Sequence, residues 1–503
     1  MNKSQKKAII LGAGPSGLAC ALELIKSNSN IQPIIIEKLP CVGGLSRTVY
    51  WDNLGVDIGG HRLYTKDPYI EQLWRDFLPL QNAPSIDDIY AKRDLAYPKE
   101  GKDPNVEDDV MLIRQRFSSI IYNSKMFEYP LKFELSLFKK LGLKTTLLAG
   151  FSYLKSLLVK REEKSLEDFM INRFGKVLYE IFFKSYTKKV WGVEPSVLSS
   201  EWGRERIRQL NLLKTVLNAI FSKLNIFKLG LKKETSLIDS FYYPKFGCSQ
   251  LWEAIAKYII NNGGKIIFEA EFKDFEIEND KIYSVKYFKN NKEETLQGNY
   301  FISSIPIKDL IKGIDAPYDI KQNALNLPYR DYILVSFYTD NFNLKNKTNF
   351  KTPNNITPEC WIYLQEKDAI AARIQIMNNW SPYLVGDFKK NYLISLEYFT
   401  NEGDELWNLE DNELINLAKK ECLKYNLFNE NDVIKSMIIR EKKAYPSYFG
   451  TYKHIDQIKS HISKIKNLNL IGRNGQHKYN NMDEAMINGI SAAKKIINEV
   501  KNG

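Results

Sequence analysis

The sequence is poor in the residues that form disulfide frameworks and metal sites. Its 503 residues include only four histidines and five cysteines, which are Cys20, Cys41, Cys248, Cys360 and Cys422. The cysteines are odd in number, scattered and never in C-x-x-C spacing, which argues against paired disulfides and against a zinc site. The sequence therefore predicts no metal centre and favours a reducing compartment.

Long hydrophobic runs are also missing. No stretch of about 18 uncharged apolar residues occurs, so no membrane-spanning helix is expected. The basic N-terminus and the apolar residues 8–11 superficially resemble a signal peptide, but the apolar run is short and breaks at Gly12. We therefore interpret residues 8–11 as a buried strand and expect a cytoplasmic protein.

Acidic residues are outnumbered by basic ones. The chain has 72 basic and 60 acidic residues, which gives a net charge of +12. No known nucleic-acid-binding module is recognisable, so we attribute the excess to a lysine-rich surface and expect no nucleic-acid partner. A dianionic substrate would be attracted by such a field, although net charge alone does not identify one.

What the chain does contain is a glycine-rich turn between two apolar runs. Residues 8–11 predict a strand, Gly12, Gly14 and Gly17 open a helix, and residues 33–36 predict a second strand that ends at Glu37. Glu37 lies about 20 residues beyond Gly17, the distance at which dinucleotide-binding domains place an acid for the ribose hydroxyls. This order predicts a Rossmann-type dinucleotide site.

Each glycine has a physical role in such a site. Gly12 permits the tight turn, Gly14 lets a pyrophosphate approach the backbone, and Gly17 lets the helix lie close to the strand. The N-terminus of the helix would then face the phosphates with its unpaired N–H groups and partial positive charge.

The residues after Glu37 narrow the cofactor. Residues 42–47 and the triplet Gly59-Gly60-His61 resemble the flavoprotein superfamily of amine oxidases, protoporphyrinogen oxidases and UDP-galactopyranose mutases. The resemblance implies FAD, with the first glycine pair at the diphosphate and the second beside the isoalloxazine. The predicted cofactor-binding residues are Gly12, Gly14, Pro15, Ser16, Gly17, Glu37, Lys38, Gly43, Gly44, Leu45, Ser46, Gly59, Gly60, His61, Gly472 and Arg473.

A chain of this length can form two or three domains. We predict an α/β protein with a discontinuous Rossmann-type FAD-binding domain, formed by residues 1–105, 240–315 and 465–503. Residues 106–239 are predicted to be a helical insertion, with Ser165 as a helix N-cap and Asp168 in its first turn. Residues 316–464 alternate in polarity and predict an antiparallel sheet that forms part of a substrate site.

Beyond the flavin motifs, the sequence looks most like UDP-galactopyranose mutases, the longer eukaryotic-type branch more than the short bacterial one. The matching segments are residues 189–192, 201–206, 360–363, 372–373, 379–383 and 472–479. The resemblance implies that Arg206 and Arg373 bind a diphosphate, which guanidinium forks hold bidentately. It also implies that Tyr479 touches the diphosphate.

Other matched positions complete the implied site. Trp361 and Tyr363 match aromatics that contact the uridine, where a flat ring can stack on the base. Arg473 matches a residue beside the flavin, and His61 a histidine under the isoalloxazine. The predicted substrate-binding residues are Arg206, Trp361, Tyr363, Arg373, Trp380 and Tyr479, and the residues assigned to catalysis are His61, Arg206, Arg373, Arg473 and Tyr479.

The family reaction is the interconversion of a UDP-pyranose and its furanose form, for cell-surface glycan biosynthesis. In that family, N5 of the reduced flavin attacks the anomeric carbon and forms a flavin–sugar adduct. FAD is therefore expected to act in its reduced form, with NADPH or NADH open as external reductant. The sequence leaves the sugar and the oligomeric state open.

Two departures from the family pattern and two alternatives remain. Trp380 stands where the family often has a tyrosine, and Asp483-Glu484-Ala485 replaces an Asp-His-Ser-like segment.

A true oxidoreductase of the amine oxidase or protoporphyrinogen oxidase type is one alternative. The other is a membrane-associated scaffold, because the basic residues 206–233 have apolar positions at helical spacing.

Overall fold

A computed structural model describes residues 5–129, 140–206 and 240–502, with the backbone alone for residues 205 and 206. Its strands are β1 (Lys6–Leu11), β2 (Ile31–Ile36), β3 (Thr48–Trp51), β4 (Leu54–Asp57), β5 (Met111–Gln115), β6 (Ser118–Tyr122), β7 (Lys125–Glu128), β8 (Ser240–Pro244), β9 (Lys265–Ile267), β10 (Ala270–Glu278), β11 (Lys281–Lys289), β12 (Lys292–Gln297), β13 (Tyr300–Ser303), β14 (Tyr329–Thr339), β15 (Trp361–Leu364), β16 (Arg373–Ile376), β17 (Tyr392–Thr400), β18 (Val433–Pro446) and β19 (Leu468–Leu470).

The helices of the described residues are α1 (Pro15–Lys26), α2 (Pro68–Phe77), α3 (Ile86–Tyr90), α4 (Leu143–Leu158), α5 (Leu166–Phe174), α6 (Lys176–Tyr179), α7 (Ser185–Trp191), α8 (Ser200–Arg206), α9 (Ser249–Asn261), α10 (Ile307–Leu310), α11 (Tyr318–Leu325), α12 (Glu405–Asn408), α13 (Asp411–Lys424), α14 (Ile455–Ile462), α15 (Gly472–Gly475) and α16 (Met482–Asn502). A π-helical turn, Glu180–Lys184, joins α6 to α7. Within these ranges no helix combines the length and the apolarity needed to cross a bilayer.

The first layer is a parallel sheet of five strands in the order β19-β13-β1-β2-β9. Its strands come from three separate parts of the chain, so the discontinuous Rossmann-type arrangement is confirmed. The central strand β1 is buried at its last four residues and is flanked by β2 and β13 in parallel register. Strands buried on both faces read as continuous apolar runs, which is why the runs at the start of the chain were recognisable.

Three antiparallel strands form a separate meander in the order β10-β11-β12. Its two turns fall at Asn279-Asp280 and Asn290-Asn291, and all four residues have positive φ. Asparagine and aspartate tolerate the left-handed conformation that tight hairpins require. The alternating polarity of residues 271–297 and their asparagine-rich turns predict a hairpin or a meander, and the structure has the meander.

The second large sheet has seven strands in the order β18-β14-β17-β16-β15-β6-β7. Every neighbouring pair is antiparallel except β15 with β6, where Trp361 lies opposite Ser118 in a parallel pair. The antiparallel sheet predicted from residue 316 onward is therefore present, and it recruits two strands from before residue 130.

The prediction that residues 106–239 are helical is wrong for β5, β6 and β7, which span residues 111–128. Ser118–Tyr122 is almost wholly buried between other elements, so it lacks the apolar–polar alternation that identifies a half-buried strand. Its hairpin partner β7 follows a two-residue turn in which Asn123 and Ser124 both have positive φ. The Asn-Ser turn was the signal available in the sequence.

Helices α4 to α8 confirm the helical prediction for residues 143–206. The hydroxyl of Ser165 accepts a hydrogen bond from the Asp168 backbone N–H, and the Asp168 carboxylate accepts one from the Ser165 N–H at 3.3 Å. This capping box is the one predicted at Ser165. The basic segment at 206–233 lies outside the described residues apart from the backbone of Arg206, so its membrane contact stays a prediction.

The C-terminal helix α16 closes the first layer by packing very closely on α1. A Cβ atom added to Gly489 would lie 2.0 Å from the carbonyl oxygen of Ser16 and 3.1 Å from the backbone nitrogen of Cys20. Those atoms are backbone, so a side chain at Gly489 would force the two helices apart. The same helix start carries the predicted phosphate-binding glycines.

We therefore expect Gly489→Ala to lower the free energy of unfolding by about 1–3 kcal/mol, because overpacking displaces backbone. Urea unfolding, together with the FAD retained on gel filtration, measures the effect. Gly150→Ala in α4 is the matched control, since a Cβ atom there meets nothing within 4 Å. That control should leave the protein as stable or stabilise it by up to about 1 kcal/mol. Equal stability of the two variants would contradict the packing described.

Candidate functional site

Two glycine turns meet at the start of α1. Gly12 and Gly43 both have φ +99°, and the Gly43 N–H donates a hydrogen bond of 2.9 Å to the Ala13 carbonyl. A Cβ atom on Gly44 would lie 3.3 Å from the Gly14 Cα, whereas one on Gly14 would meet nothing within 4 Å. The N-terminus of α1 therefore faces open space, and it suits a pyrophosphate held by backbone N–H groups.

Glu37 is fixed at the end of β2, next to this turn. Its carboxylate accepts hydrogen bonds from the Ala13 N–H at 2.6 Å and the Leu39 N–H at 2.9 Å. Burial raises the pKa of Glu37, and these backbone donors partly oppose the shift. The carboxylate retains lone pairs for a ribose hydroxyl. Lys38, also predicted to bind the cofactor, instead forms an exposed ion pair of 2.6 Å with Glu271.

The C-terminal part of the chain returns to the same place. Gly472 has φ +69°, and a Cβ atom there would lie 2.3 Å from the Ser16 hydroxyl oxygen. The Ser46 hydroxyl closes the second glycine turn by donating to the Gly43 carbonyl at 2.9 Å. The other predicted cofactor residues at this junction are Pro15, Gly17 and Leu45. These residues form one phosphate cradle, which is called the glycine cradle below.

A cavity of about 460 Å³ lies between residues 59–64, the helical insertion, the seven-stranded sheet and residues 473–483, which follow Gly472 of the glycine cradle. The predicted site residues that line it are Gly59, Gly60, His61, Trp361, Tyr363, Arg373, Arg473 and Tyr479. Helices α5 and α7, with the π-turn between α6 and α7, add apolar and aromatic side chains, among them Met170, Phe182 and Tyr186. The cavity therefore combines an aromatic wall with cationic groups.

Arg373 is held by a buried carboxylate on the neighbouring strand. Arg373 and Glu397 are register partners on β16 and β17, and they form an ion pair without an aligned hydrogen bond. Glu397 is fully buried and also accepts hydrogen bonds from Trp361 Nε1 at 2.9 Å and Gln375 Nε2 at 2.6 Å. Burial would lower the pKa of Arg373, but Glu397 raises it well above its ordinary value. Arg373 is therefore held in its charged form, and the buried carboxylate of Glu397 compensates that charge.

A stack of tyrosine rings links this ion pair to the C-terminal turn. Arg373 donates a hydrogen bond of 3.2 Å to the Tyr445 hydroxyl, and the rings of Tyr445 and Tyr479 stack at 5.6 Å with an interplanar angle of 17°. The Arg473 guanidinium lies 4.6 Å from the Tyr479 ring centroid and donates two hydrogen bonds to the Asn480 carbonyl. The wall is therefore held by alternating cations and rings.

His61 enters the cavity as a neutral imidazole. Burial, followed by the positive charges of Arg473 and Arg373, lowers its pKa from 6.5 to about 3. Its buried Nδ1 atom has no hydrogen-bond partner among the described residues. An unpartnered ring nitrogen beside the Gly59-Gly60 turn suits a polar edge of a bound ring system. The glycine cradle and this atom together fit a dinucleotide whose redox-active ring lies at the cavity.

Trp361 lies between two guanidinium groups. Its ring is 4.8 Å from the Arg373 guanidinium carbon and 5.4 Å from that of Arg62. Trp361 is only 8% exposed, and its ring separates the guanidinium group of Arg373 from that of Arg62. The rings available for stacking are those around Tyr363, which lies 4.9 Å from Tyr129 by ring centroid.

Of the predicted substrate residues, Trp380 is not among those that line the cavity, and the side chain of Arg206 lies outside the described part of the chain. Trp380 is 1% exposed, packs edge-on behind Trp361 at 5.7 Å, and donates from Nε1 to the Cys360 carbonyl at 3.1 Å. The prediction that Trp380 contacts substrate is not supported, because Trp361 and the Gly60 turn separate it from the cavity. Arg206 is the last described residue of α8, and its side chain lies outside the described part of the chain.

Sequence reasoning missed three residues of this site. Arg62 follows the predicted Gly59-Gly60-His61 triplet directly, so its position was within reach. Glu397 is a single charge inside an otherwise uncharged and wholly buried strand, which is a usable signal for a buried ion pair. Tyr445 lies at the end of the long strand β18, and no local pattern distinguishes it from other strand tyrosines.

The cavity is electropositive. Among the described residues that line it, Arg62, Arg373 and Arg473 are cationic and Asp483 alone is acidic. Burial raises the pKa of Asp483. The described residues contain no group of three His, Cys, Asp or Glu side chains that could hold a metal ion. An anionic molecule with an aromatic or cyclic part is the ligand that such a cavity suits.

The chain belongs to the family of flavin-containing amine oxidoreductases, whose model matches residues 15–497. The cofactor of this family is a flavin, which agrees with the glycine cradle and with the unpartnered Nδ1 atom of His61. The site residues that would hold it are the glycines of the two turns, Glu37 and the Gly59-Gly60-His61 segment.

Solved structures share the whole fold. A crystal structure of reduced UDP-galactopyranose mutase matches with a TM-score of 0.74 and 20% identity over 98% of this chain and 96% of that chain. A protein described as a protoporphyrinogen oxidase from Exiguobacterium sp. 255-15 matches with a TM-score of 0.69, 13% identity and coverage of 99% and 100%. A structure of putrescine oxidase bound to putrescine matches with a TM-score of 0.57 and 14% identity over 98% of this chain and 99% of that chain. These likenesses establish the fold.

The low pKa of His61 predicts a specific pH dependence of stability. The unfolded chain takes up a proton near pH 6.5, whereas folded His61 stays neutral down to about pH 3, so the contribution is present above pH 6.5 and is lost as the pH falls. Between pH 7 and pH 5 we expect His61 to account for a loss of about 2 kcal/mol of unfolding free energy.

Urea unfolding of wild type and His61→Asn at both pH values measures this term. The wild type should lose more stability than His61→Asn between the two pH values. His454→Asn, at a histidine distant from the cavity, is the matched control for loss of a histidine. An equal pH dependence of wild type and His61→Asn would show that His61 is not buried as a neutral ring.

Proposed function

We propose that this protein is a flavin-dependent nucleotide-sugar mutase that interconverts UDP-galactopyranose, or a related UDP-sugar, and its furanose form. The observation that carries the proposal is the electropositive aromatic cavity beside the glycine cradle. A UDP-sugar presents two charged phosphates, a flat base and a polar ring, and each of these has a counterpart among the lining residues.

The roles follow from the contacts of the described residues. The guanidinium groups of the cavity bind the diphosphate, and the aromatic rings around Tyr363 contact the base. The ion pair between Arg373 and Glu397 fixes one wall, so binding requires little reorganisation of that side. Tyr445 and Tyr479 close the wall next to Arg473. Arg206 is retained as a proposed diphosphate contact from the sequence resemblance.

The flavin, when bound in its reduced form, supplies the nucleophilic chemistry of the reaction. The protein supplies position and electrostatics. The diphosphate is both the recognition element and the leaving group, and fixed guanidinium groups stabilise the charge that develops on it as it departs. Neutral His61 adds no further positive charge next to the ring system and keeps a nitrogen lone pair or N–H for hydrogen bonding. We propose NADPH or NADH as the external reductant of the flavin. We also propose that the enzyme acts in the cytoplasm and supplies cell-surface glycan synthesis.

The second candidate is an oxidoreductase that acts on a carboxylate-bearing substrate, as a protoporphyrinogen oxidase does. The same arginines favour it, since carboxylates also pair with guanidinium groups. A cationic amine substrate is disfavoured, because Asp483 is the only acidic residue among the described lining residues and burial raises its pKa. The two candidates therefore share an anionic substrate and differ in the net electron balance.

The test is to reduce the holoenzyme anaerobically with dithionite, add UDP-galactopyranose and measure the furanose by chromatography. We expect conversion with the reduced enzyme, none with the oxidised enzyme, and no net consumption of reductant. A parallel reaction follows oxygen uptake with protoporphyrinogen. Oxygen uptake without any furanose, across UDP-galactose and other UDP-sugars, would replace the mutase with the oxidoreductase.

A further inference from the structure

One lysine joins the helical side of the cavity to the seven-stranded sheet. Lys189 lies on α7, and its Nζ atom donates hydrogen bonds to the carbonyl oxygens of Leu364 at 3.0 Å and Glu366 at 2.6 Å. Leu364 ends β15, the strand that brings Trp361 and Tyr363 to the cavity. A helix and a strand that both line the cavity are therefore held together by a single side chain.

The end of α7 meets the sheet at a second point. The Arg330 guanidinium, from β14, donates a hydrogen bond of 3.0 Å to the carbonyl oxygen of Val190. Gly192 ends the helix with φ +70°, and a Cβ atom there would lie 2.7 Å from the Nη1 atom of Arg330. The segment 189–192, which resembles the family in sequence, therefore forms the joint between α7 and the sheet.

Two aromatic rings of the cavity belong to the elements that this joint connects. The rings of Tyr186 on α7 and Tyr363 on β15 lie 5.4 Å apart by centroid and meet edge to face at 77°. Both residues line the cavity. Gln365, one residue beyond β15, donates from Nε2 to the Phe182 carbonyl oxygen of the π-turn at 2.7 Å. The spacing of the two rings is therefore set by contacts between α7, the π-turn and the end of β15.

The charge of Lys189 is not compensated by an ion pair among the described residues. Burial lowers its pKa from 10.5 to about 8, and the carboxylates of Glu421, Glu366 and Asp368 oppose this shift from a distance. A buried charge without a partner lowers stability, which a methionine of similar length would avoid. A charged donor also makes shorter and stronger hydrogen bonds than a neutral one. Lys189 therefore fixes the position of α7 at the expense of stability.

We propose that Lys189 is a positioning residue that fixes α7 against the end of β15, and with it the ring pair of Tyr186 and Tyr363 that contacts the base of a nucleotide substrate. The role of the rings rests on the proposed function, whereas the Lys189 contact is independent of it. Lys189 touches no substrate in this proposal, since its Nζ atom is used by two backbone carbonyl oxygens.

The test compares Lys189→Met with wild type by titrating the FAD holoenzyme with UDP and following the flavin absorbance. Methionine keeps an unbranched apolar side chain and removes the donors. We expect UDP affinity to fall roughly tenfold, as for one lost hydrogen bond to a charged group. The melting temperature should not fall, because the variant also loses a buried charge. Lys345→Met is the matched control, since Lys345 donates to the Phe342 carbonyl oxygen away from the cavity.

The outcomes separate the positioning role from the function. Lys189→Arg restores a charged donor and should recover part of the UDP affinity. Wild-type UDP affinity in Lys189→Met would overturn the positioning role and leave the mutase proposal standing. A loss of affinity accompanied by a lower melting temperature and release of FAD would also overturn the role, because general destabilisation would explain the loss.

Absence of UDP binding by wild type would count against the mutase proposal alone. The same comparison is then made with coproporphyrin, whose affinity should also fall in Lys189→Met if the lysine positions the cavity wall. Unchanged coproporphyrin affinity, or binding of neither probe by wild type, would overturn the positioning role as well.

A second, independent observation concerns the outer side of helix α4. Five apolar side chains recur at intervals of three or four residues along one side of this helix and are more than half exposed: Leu143, Leu147, Phe151, Leu154 and Leu158. Ala149 and Ser156, on the opposite side, are buried. The stripe is about 22 Å long at 1.5 Å per residue. An exposed apolar stripe of this size marks an interaction surface.

The other side of α4 is fixed on the helical insertion. The Ser152 hydroxyl accepts a hydrogen bond of 3.2 Å from the Val177 N–H of α6, and a Cβ atom on Gly175 would lie 2.8 Å from the Tyr153 Cα. Helices α5 and α7 of the same insertion line the cavity. The apolar stripe therefore faces away from the insertion, on the outer side of the cavity wall.

The charges around this stripe favour an anionic lipid surface. Residues 140–161 contain five basic and no acidic residues. Arg161 pairs with Asp168 at 3.4 Å, whereas Lys144 and Lys155 are exposed beside the stripe. A second copy would meet the same positive charges and be repelled, whereas basic borders around an apolar stripe suit an anionic bilayer. We infer that α4 docks this protein on an anionic membrane surface.

Sedimentation with vesicles of phosphatidylcholine, with and without phosphatidylserine, tests the docking. Wild type should pellet with the anionic vesicles and much less with the neutral ones, and the triple variant Leu147→Gln, Phe151→Gln, Leu154→Gln should stay in the supernatant. Tyr318→Gln, at an exposed residue elsewhere, is the control. Equal pelleting of the triple variant, or no pelleting of wild type, would overturn the inference, as would a dimer in solution that the triple variant abolishes.

Discussion

Positive charge confined within a walled cavity is the constraint on which this site depends. Glu397 sits without any exposure beneath Arg373, and no comparable acid lies beneath the other cavity arginines in the described chain. Because the cavity is partly walled off from bulk solvent, each guanidinium is felt more strongly there than at the surface. Two features of the site follow from this constraint: the pKa of His61 is lowered by burial and by the neighbouring arginines, and aromatic rings pack against the cations.

The fold supports this arrangement by bringing three distant segments together. The parallel sheet carries the glycine cradle, and the seven-stranded sheet provides the buried ion pair. Helices α5 and α7, with the π-turn, form the apolar side of the cavity. The close approach of α1 and α16 at Gly489 holds the start of α1 against the C-terminal turn that carries Arg473. A displacement there is transmitted to both the cofactor and the substrate side, since Gly472 touches the first turn of α1.

Local patterns were enough to predict the parallel sheet, the glycine cradle and the meander, because these depend on continuous apolar runs and on turn residues. They failed at β5 to β7, where the almost wholly buried β6 shows no apolar–polar alternation. In the site, resemblance identified Arg373 and Trp361, but only the pairing of β16 with β17 reveals that Glu397 already compensates the arginine. The burial of Trp380 likewise depends on long-range packing that no single segment encodes.

A crystal structure of the FAD holoenzyme with UDP tests most directly whether the cavity binds the diphosphate of the substrate. We predict that the diphosphate oxygens lie within hydrogen-bond distance of the cavity arginines, which are Arg62, Arg373 and Arg473 among the described residues, that the base lies among the rings around Tyr363, and that the ion pair of Arg373 and Glu397 stays intact. A diphosphate bound outside the cavity, or one whose binding breaks the ion pair of Arg373 and Glu397, would contradict this prediction.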